Sequence, residues 1–153
     1  MIEVVVRQRR VALSPARLVR TADRALTAVG RAGADVEVLM VDDAQMRRLN
    51  RTWRGSGRRT DVLAFPLEIP EAPGRLLGQV VVSAETAARQ ARELGVPVAI
   101  ELDLLVTHGI LHLVGYDDHD PVKARRMHQR EQAILSSGRR RPIPARLWQG
   151  LLP

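Results

Sequence analysis

The feature that most limits what this chain can fold into is the stretch 97–115, PVAIELDLLVTHGILHLVG. It predicts a helix that is apolar on nearly every face. A helix on a protein surface needs a polar stripe, and Leu102, Leu104, Leu105, Val106, Ile110 and Leu111 leave no room for one. This helix therefore has to be central and covered by other elements. Pro97 opens it and Gly115 ends it. Glu101, Asp103, His108 and His112 break the run, which falls short of the ~18 uninterrupted apolar residues that a membrane span needs.

His108 and His112 are four residues apart, so a helix sets both on one face, a turn apart, where two imidazoles can converge on one ion. Burying two such rings demands partners, and one metal ion satisfies both. An HxxxH pair alone is a weak signal; the apolar helix around it and the turn after it strengthen the reading. That turn, Tyr116-Asp117-Asp118-His119-Asp120, offers a third donor. Three ligands with a position left for water are the pattern of a catalytic site, whereas structural zinc is normally four-coordinate and closed. Water on such an ion loses a proton near neutral pH and becomes a usable nucleophile. Imidazole pairs with a third nitrogen or oxygen donor suit zinc best, one ion per chain. The chain has no cysteine, which excludes thiolate zinc sites, disulfides and cysteine nucleophiles and fits a reducing cytoplasm. His128 sits in an arginine-rich helix and reads as surface.

The rest of the chain supplies the cover. Val-rich 2–8 predicts a strand, and Ser14-Pro15 starts a helix that stops at Gly30. Residues 35–41 predict a second strand, with Asp42 capping a short helix through Arg51. Strands follow over 61–67 and 76–83, separated by Pro70, Pro73 and Gly74. Ser83 and Glu85 open a helix that ends at Gly95, and Asp120-Pro121 starts the last one, which reaches about Ser137. This order predicts an α+β fold, not a doubly wound one: a mixed four-stranded sheet covered by helices, with the metal-carrying helix buried at the centre. Its 153 residues fit one domain, taken as 1–137. A basic, proline-containing tail follows over 138–153, expected to be loosely attached, with Trp148, Leu151 and Leu152 able to dock on the body. No signal peptide is visible at the N-terminus.

Charge points to a polyanion. The chain carries 24 Lys plus Arg against 17 Asp plus Glu, a net charge of +7, and all the basic residues but Lys123 are arginine. Guanidinium is the better partner for planar, bidentate phosphate contact. Arg47, Arg48, Arg51, Arg54, Arg58 and Arg59 fall within 13 residues, along the short predicted helix and the loop that follows it. Taken singly, most of these have an equally good reading as solvated surface cations.

The segment HGILHLVGYDDHD closely resembles the signature of the YbeY family, roughly HGxLHLxGYDH. LNRTWRGSGRRTDVLAFP (49–66) resembles that family's LNxxYRGxDxPTDVLSFP, and LLGQVVVSAETAARQARELG (76–95) its LGDIVIxxExAxxQAxExG. The resemblance implies a zinc-dependent, single-strand-specific endoribonuclease of the cytoplasm. It implies work on rRNA and the small ribosomal subunit, in 16S rRNA 3′-end maturation and ribosome quality control, with no membrane or DNA partner. His108 and His112 match the first two ligands. Arg54 matches the loop arginine and is the candidate catalytic cation, with Arg51, Arg58 and Arg59 as further RNA contacts. The family's GYDH is GYDDHD here. An ungapped match sets Asp118 at the third ligand; a one-residue insertion, easily absorbed by a turn, restores His119. His119 is the expected third ligand and Asp118 the alternative. Gln79 stands where the family has a carboxylate, and Gly57 and Arg59 where its loop has Asp and Pro.

Two other functions compete. A zinc peptidase of the HExxH type needs a glutamate after the first histidine, and that position is Gly109. A non-catalytic ribosome-assembly factor with a structural metal stays open. Glycine inside a helix costs about 1 kcal/mol relative to alanine, so Gly109 also predicts tight packing against a neighbour.

Overall fold

The computed structural model of the protein describes residues 1–53, 61–67, 76–137, 139 and 142–149. In chain order the elements are β1 (Ile2–Val6), α1 (Pro15–Ala28), β2 (Asp35–Val41), α2 (Asp43–Trp53), β3 (Val62–Pro66), β4 (Leu76–Ser83), α3 (Ala84–Leu94), α4 (Val98–Leu113), α5 (Pro121–Ser136) and α6 (Arg146–Gln149). The four strands form one sheet in the order β1-β2-β4-β3. β2 pairs with β1 and β4 in parallel, and β3 pairs with β4 antiparallel. The sheet is thus mixed and the fold α+β, as the element order predicts.

The strands in the middle carry apolar residues at consecutive positions because both faces of the sheet are covered. Val38, Met40, Val80 and Val82 point into the larger core with residues of α1, α4 and α5. Leu39, Val41 and Val81 point the other way, onto Met46 of α2 and Leu63. The helix starts follow from local chemistry. The Ser14 hydroxyl accepts the Arg17 amide at 3.2 Å, and Asp120 Oδ1 accepts the Lys123 amide at 2.9 Å. Gly95 ends α3 in the left-handed region at φ 68°.

Every residue of α4 from Glu101 to Leu111 is buried, which is the central placement that its composition demands. Two glycines let the helix lie close to the sheet. A Cβ on Gly109 would sit 2.4 Å from Val80 Cγ1, so α4 rests against β4 at the turn that separates the two histidines. Opposite the end of α4, a Cβ on Gly78 would meet Leu113 Cδ2 at 2.8 Å and the Phe65 carbonyl at 2.4 Å.

The described part of the tail differs from the loose attachment expected. Leu147 of α6 is fully buried in a cluster with Ala91, Val96, Leu104 and Leu135, and Trp148 packs against the same cluster. One fully buried leucine stabilises a docked segment by about 1.5–3 kcal/mol, enough to hold a four-residue helix in place. Leu151 and Leu152 lie outside the described residues. Among the described residues no helix is long and apolar enough to cross a membrane.

Candidate metal centre

α4 presents His108 and His112 on successive turns of one face, with side chains only 1% and 8% exposed. Their rings meet edge to face, with centroids 4.6 Å apart and planes at 81°, and their Nε2 atoms are 3.0 Å apart. The other ring nitrogen of each has a fixed partner. His112 Nδ1 donates to the Tyr116 carbonyl at 2.9 Å, and His108 Nδ1 donates to the Glu131 carboxylate. A carbonyl and a carboxylate both favour a proton on Nδ1, the tautomer that leaves each Nε2 facing the other as an acceptor. A cation shared by the two Nε2 atoms would satisfy both at once. Burial, and then the neighbouring His108, hold the pKa of His112 below its ordinary value.

Asp118 completes the group. Its carboxylate oxygens lie 3.9 Å from His108 Nε2 and 3.9 Å from His112 Nε2, and the three ligand atoms lie within 4.8 Å of one another. Asp118 Oδ1 is buried and, among the described residues, has no hydrogen-bond partner. Two imidazole nitrogens and one carboxylate oxygen are a donor set that fits a divalent metal, zinc in particular. Nitrogens bound tetrahedrally to one zinc at 2.0–2.1 Å lie about 3.3 Å apart, close to the separation here.

The structure brings Asp118, and not His119, to the histidine pair. The turn leaves the helix at Gly115, whose φ is 103°. Asp117 Oδ1 then accepts the His119 amide at 3.2 Å, a local closure that leaves the His119 side chain exposed.

Glu131 of α5 is a site residue that the reading of the sequence missed. It is fully buried and accepts from His108 and, at 3.3 Å, from His128 Nδ1. Burial alone would raise its pKa, but the bonds from the two histidines outweigh this and hold it below the ordinary value. An ionised carboxylate on the far nitrogen of a metal-binding histidine fixes the ring's tautomer and orientation and raises its basicity as a ligand. His128, read as surface, is only 21% exposed and holds the second oxygen of Glu131. A signal was there to be seen: Glu131 falls in the Met127, Ile134, Leu135 stripe of α5, an acid where the pattern calls for an apolar residue.

Arg51 lies exposed in the last turn of α2. Arg54, Arg58 and Arg59 lie outside the described residues. Gln79 donates to Glu37 on the adjacent strand at 3.0 Å, a cross-strand pair with no part in the histidine group. Beside the turn opens a cavity of about 310 Å³, lined in part by Tyr116, Asp117, Lys123 and Arg126.

Fold and site together define a small α+β protein with a histidine–carboxylate group, able to hold a metal ion, on a buried central helix. A family model described as Endoribonuclease YbeY matches residues 3–139, and the chain belongs to the YbeY family. It is 50% identical over 122 residues to the endoribonuclease YbeY of Anaeromyxobacter sp. (strain Fw109-5), covering 79% of this chain and 64% of that protein. It is 44% identical over 127 residues to that of Moorella thermoacetica, covering 76% and 81%. With that of Aquifex aeolicus it shares 40% over 116 residues, covering 75% and 77%. The chain spans 64% or less of the length of the two Anaeromyxobacter relatives and of the Myxococcus xanthus relative. The solution structure of TM1509 from Thermotoga maritima matches with a TM-score of 0.59 at 25% identity, over 98% of this chain and 91% of that one.

Proposed function

We propose that this chain is a metal-dependent endoribonuclease that cuts single-stranded RNA, with one zinc ion held by His108, His112 and Asp118. The observation that carries the reading is the pair of Nε2 lone pairs, 3.0 Å apart and pinned from behind by Glu131 and the Tyr116 carbonyl. Membership of a family whose relatives are named endoribonucleases supplies the substrate class.

Bound there, a divalent ion supplies Lewis acidity and a water acidic enough to attack at neutral pH. The chain's own residues do the rest. Glu131 and Tyr116 hold the two rings in the tautomer that ligates, and Asp118 brings a negative charge that favours a cation. Arg54, matched to the family's loop arginine, clamps the scissile phosphate and offsets charge that develops on it. Arg51, Arg58 and Arg59 contact the backbone on either side. Lys123 and Arg126, beside the turn, add positive potential where the strand enters. A peptidase reading has no support, because a side chain at position 109 would collide with Val80. In the cell the substrate is rRNA on the small ribosomal subunit, processed at the 3′ end of 16S rRNA and during ribosome quality control in the cytoplasm.

The test is single-turnover cleavage of a single-stranded rRNA fragment by the purified, zinc-loaded chain, with His112→Ala as control. Cleavage that the substitution abolishes supports the reading. A wild type that does not cut, or a variant that cuts equally well, leaves a non-catalytic assembly factor as the better account.

A further inference from the structure

Away from the histidines, α1 and α4 enclose a second charged site. A cavity of about 220 Å³ is lined by Arg17, Arg20, Thr21, Arg24, Asp103 and Arg139, four cations against one anion. Asp103 is 1% exposed and its bonds are fully committed. Its Oδ1 accepts from the Thr21 hydroxyl at 2.9 Å; its Oδ2 accepts from Arg17 Nη2 at 2.8 Å and Arg139 Nη2 at 2.9 Å. The carboxylate thus fixes Arg17 and Arg139 as the back of the cavity. Arg20 and Arg24, spaced three and seven residues from Arg17, extend along the same face of α1. Among the described residues neither has a carboxylate within ion-pairing distance, although Arg24 is half-buried.

A partly buried arginine with no carboxylate partner among the described residues, beside two more that are held rigid, is a receptor for a planar or tetrahedral oxyanion. Inside a basic chain of an endoribonuclease family, we infer that this cavity binds a backbone phosphate of the RNA strand outside the cleavage site. The inference rests on the proposed RNA substrate. Asp103 precedes His112 by nine residues, which on a helix is about 13 Å along the axis and half a turn around it. With the width of the helix added, the two sites lie roughly 17 Å apart, a span of a few nucleotides of single strand. A phosphate held here tethers the strand and gives a preference for RNA long enough to reach both sites.

The experiment measures binding of a phosphorothioate-linked single-stranded RNA of about 15 nucleotides to the zinc-loaded full chain, by fluorescence anisotropy, across salt concentrations. Arg20→Ala/Arg24→Ala is compared with wild type and with Arg92→Ala/Arg125→Ala, which removes equal charge from exposed positions on α3 and α5. Each phosphate contact to a single strand contributes ~0.7 to the slope of log affinity against log salt. Loss of the one phosphate held here makes the slope shallower by ~0.7 and weakens binding about 5-fold at 0.1 M salt. That change in the first variant, with little in the control, supports the site. Wild-type affinity and slope in the first variant, or equal losses in both, overturn it. Cleavage of the ordinary phosphodiester strand by wild type reports on the hydrolase reading separately, since a chain that binds through Arg20 and Arg24 without cutting keeps this site and loses that activity.

Discussion

Replacing Gly109 by alanine should destabilise the protein, although helix propensity argues the other way. Alanine gains about 1 kcal/mol over glycine in a helix interior. Against that, the new methyl would stand 2.4 Å from Val80 Cγ1 and 3.0 Å from Cγ2, where carbon atoms rest comfortably at ~3.5–4.0 Å. Val80 has little freedom to yield: it is fully buried, β-branched, and in a strand paired on both sides. The helix must lift by more than an ångström or Val80 must leave its rotamer, and overpacking of this kind costs about 1–3 kcal/mol. With the whole displacement forced, the upper end of that range applies and the net loss is about 1–2 kcal/mol. Urea unfolding followed by circular dichroism reads this as a lower midpoint at unchanged slope. Val80→Ala removes both offending methyls, so in the double variant the alanine at 109 should cost nothing or stabilise. A Gly109→Ala protein at least as stable as wild type would refute the close-approach argument.

Two further outcomes follow from the polar groups. Glu131→Gln removes the charge behind His108 while keeping an acceptor, and zinc affinity should fall about 10–100-fold in a competition titration; an unchanged affinity would mean that Glu131 does not act through the ligand. Asp43 accepts from Ser83 and Thr86 at 2.6 Å each and from Arg89, tying α2 to the start of α3. Burial pushes its pKa up, but the bonds from Arg89, Ser83 and Thr86 outweigh this and depress it well below the ordinary 3.8. A depressed folded value means that its contribution is complete above the unfolded pKa and is lost as pH falls below it. Asp43→Asn should therefore flatten the decline in urea midpoint between about pH 4 and pH 2.5; an acid limb identical to wild type speaks against the assignment.

What could be read from the residues was whatever depends on pattern and short range. The apolar circumference of α4 implied its central burial, Gly109 its close approach to a neighbour, and the four-residue spacing the shared face of His108 and His112. The 35–41 strand and the capped starts at Ser14, Ser83 and Asp120 follow from local chemistry, and their ends agree with the structure to within a residue or two. What escaped depends on contacts between distant parts of the chain. Glu131 is 23 residues from His108 and lies among arginines that read as solvent-facing, so nothing local links the two. Leu147 docks onto α3, α4 and α5 with Trp148 beside it; the apolar residues of the tail allowed docking, but its prolines and three arginines gave no sign of where. Which side chain of the turn lies near the histidines depends on the path of the chain after Gly115: Asp118 comes within 3.9 Å of both rings, while Asp117 accepts the His119 amide and His119 stays exposed.

His108, His112 and Asp118 are proposed to hold one metal ion. Calorimetric titration of the metal-free full chain with zinc tests this most directly, with Asp118→Ala and His119→Ala measured alongside. The expected result is one equivalent bound, an affinity little changed in His119→Ala, and a loss in Asp118→Ala beyond the ~10–100-fold of an outer-sphere substitution. No saturable binding at one equivalent, or an ion retained by Asp118→Ala and lost by His119→Ala, would contradict it.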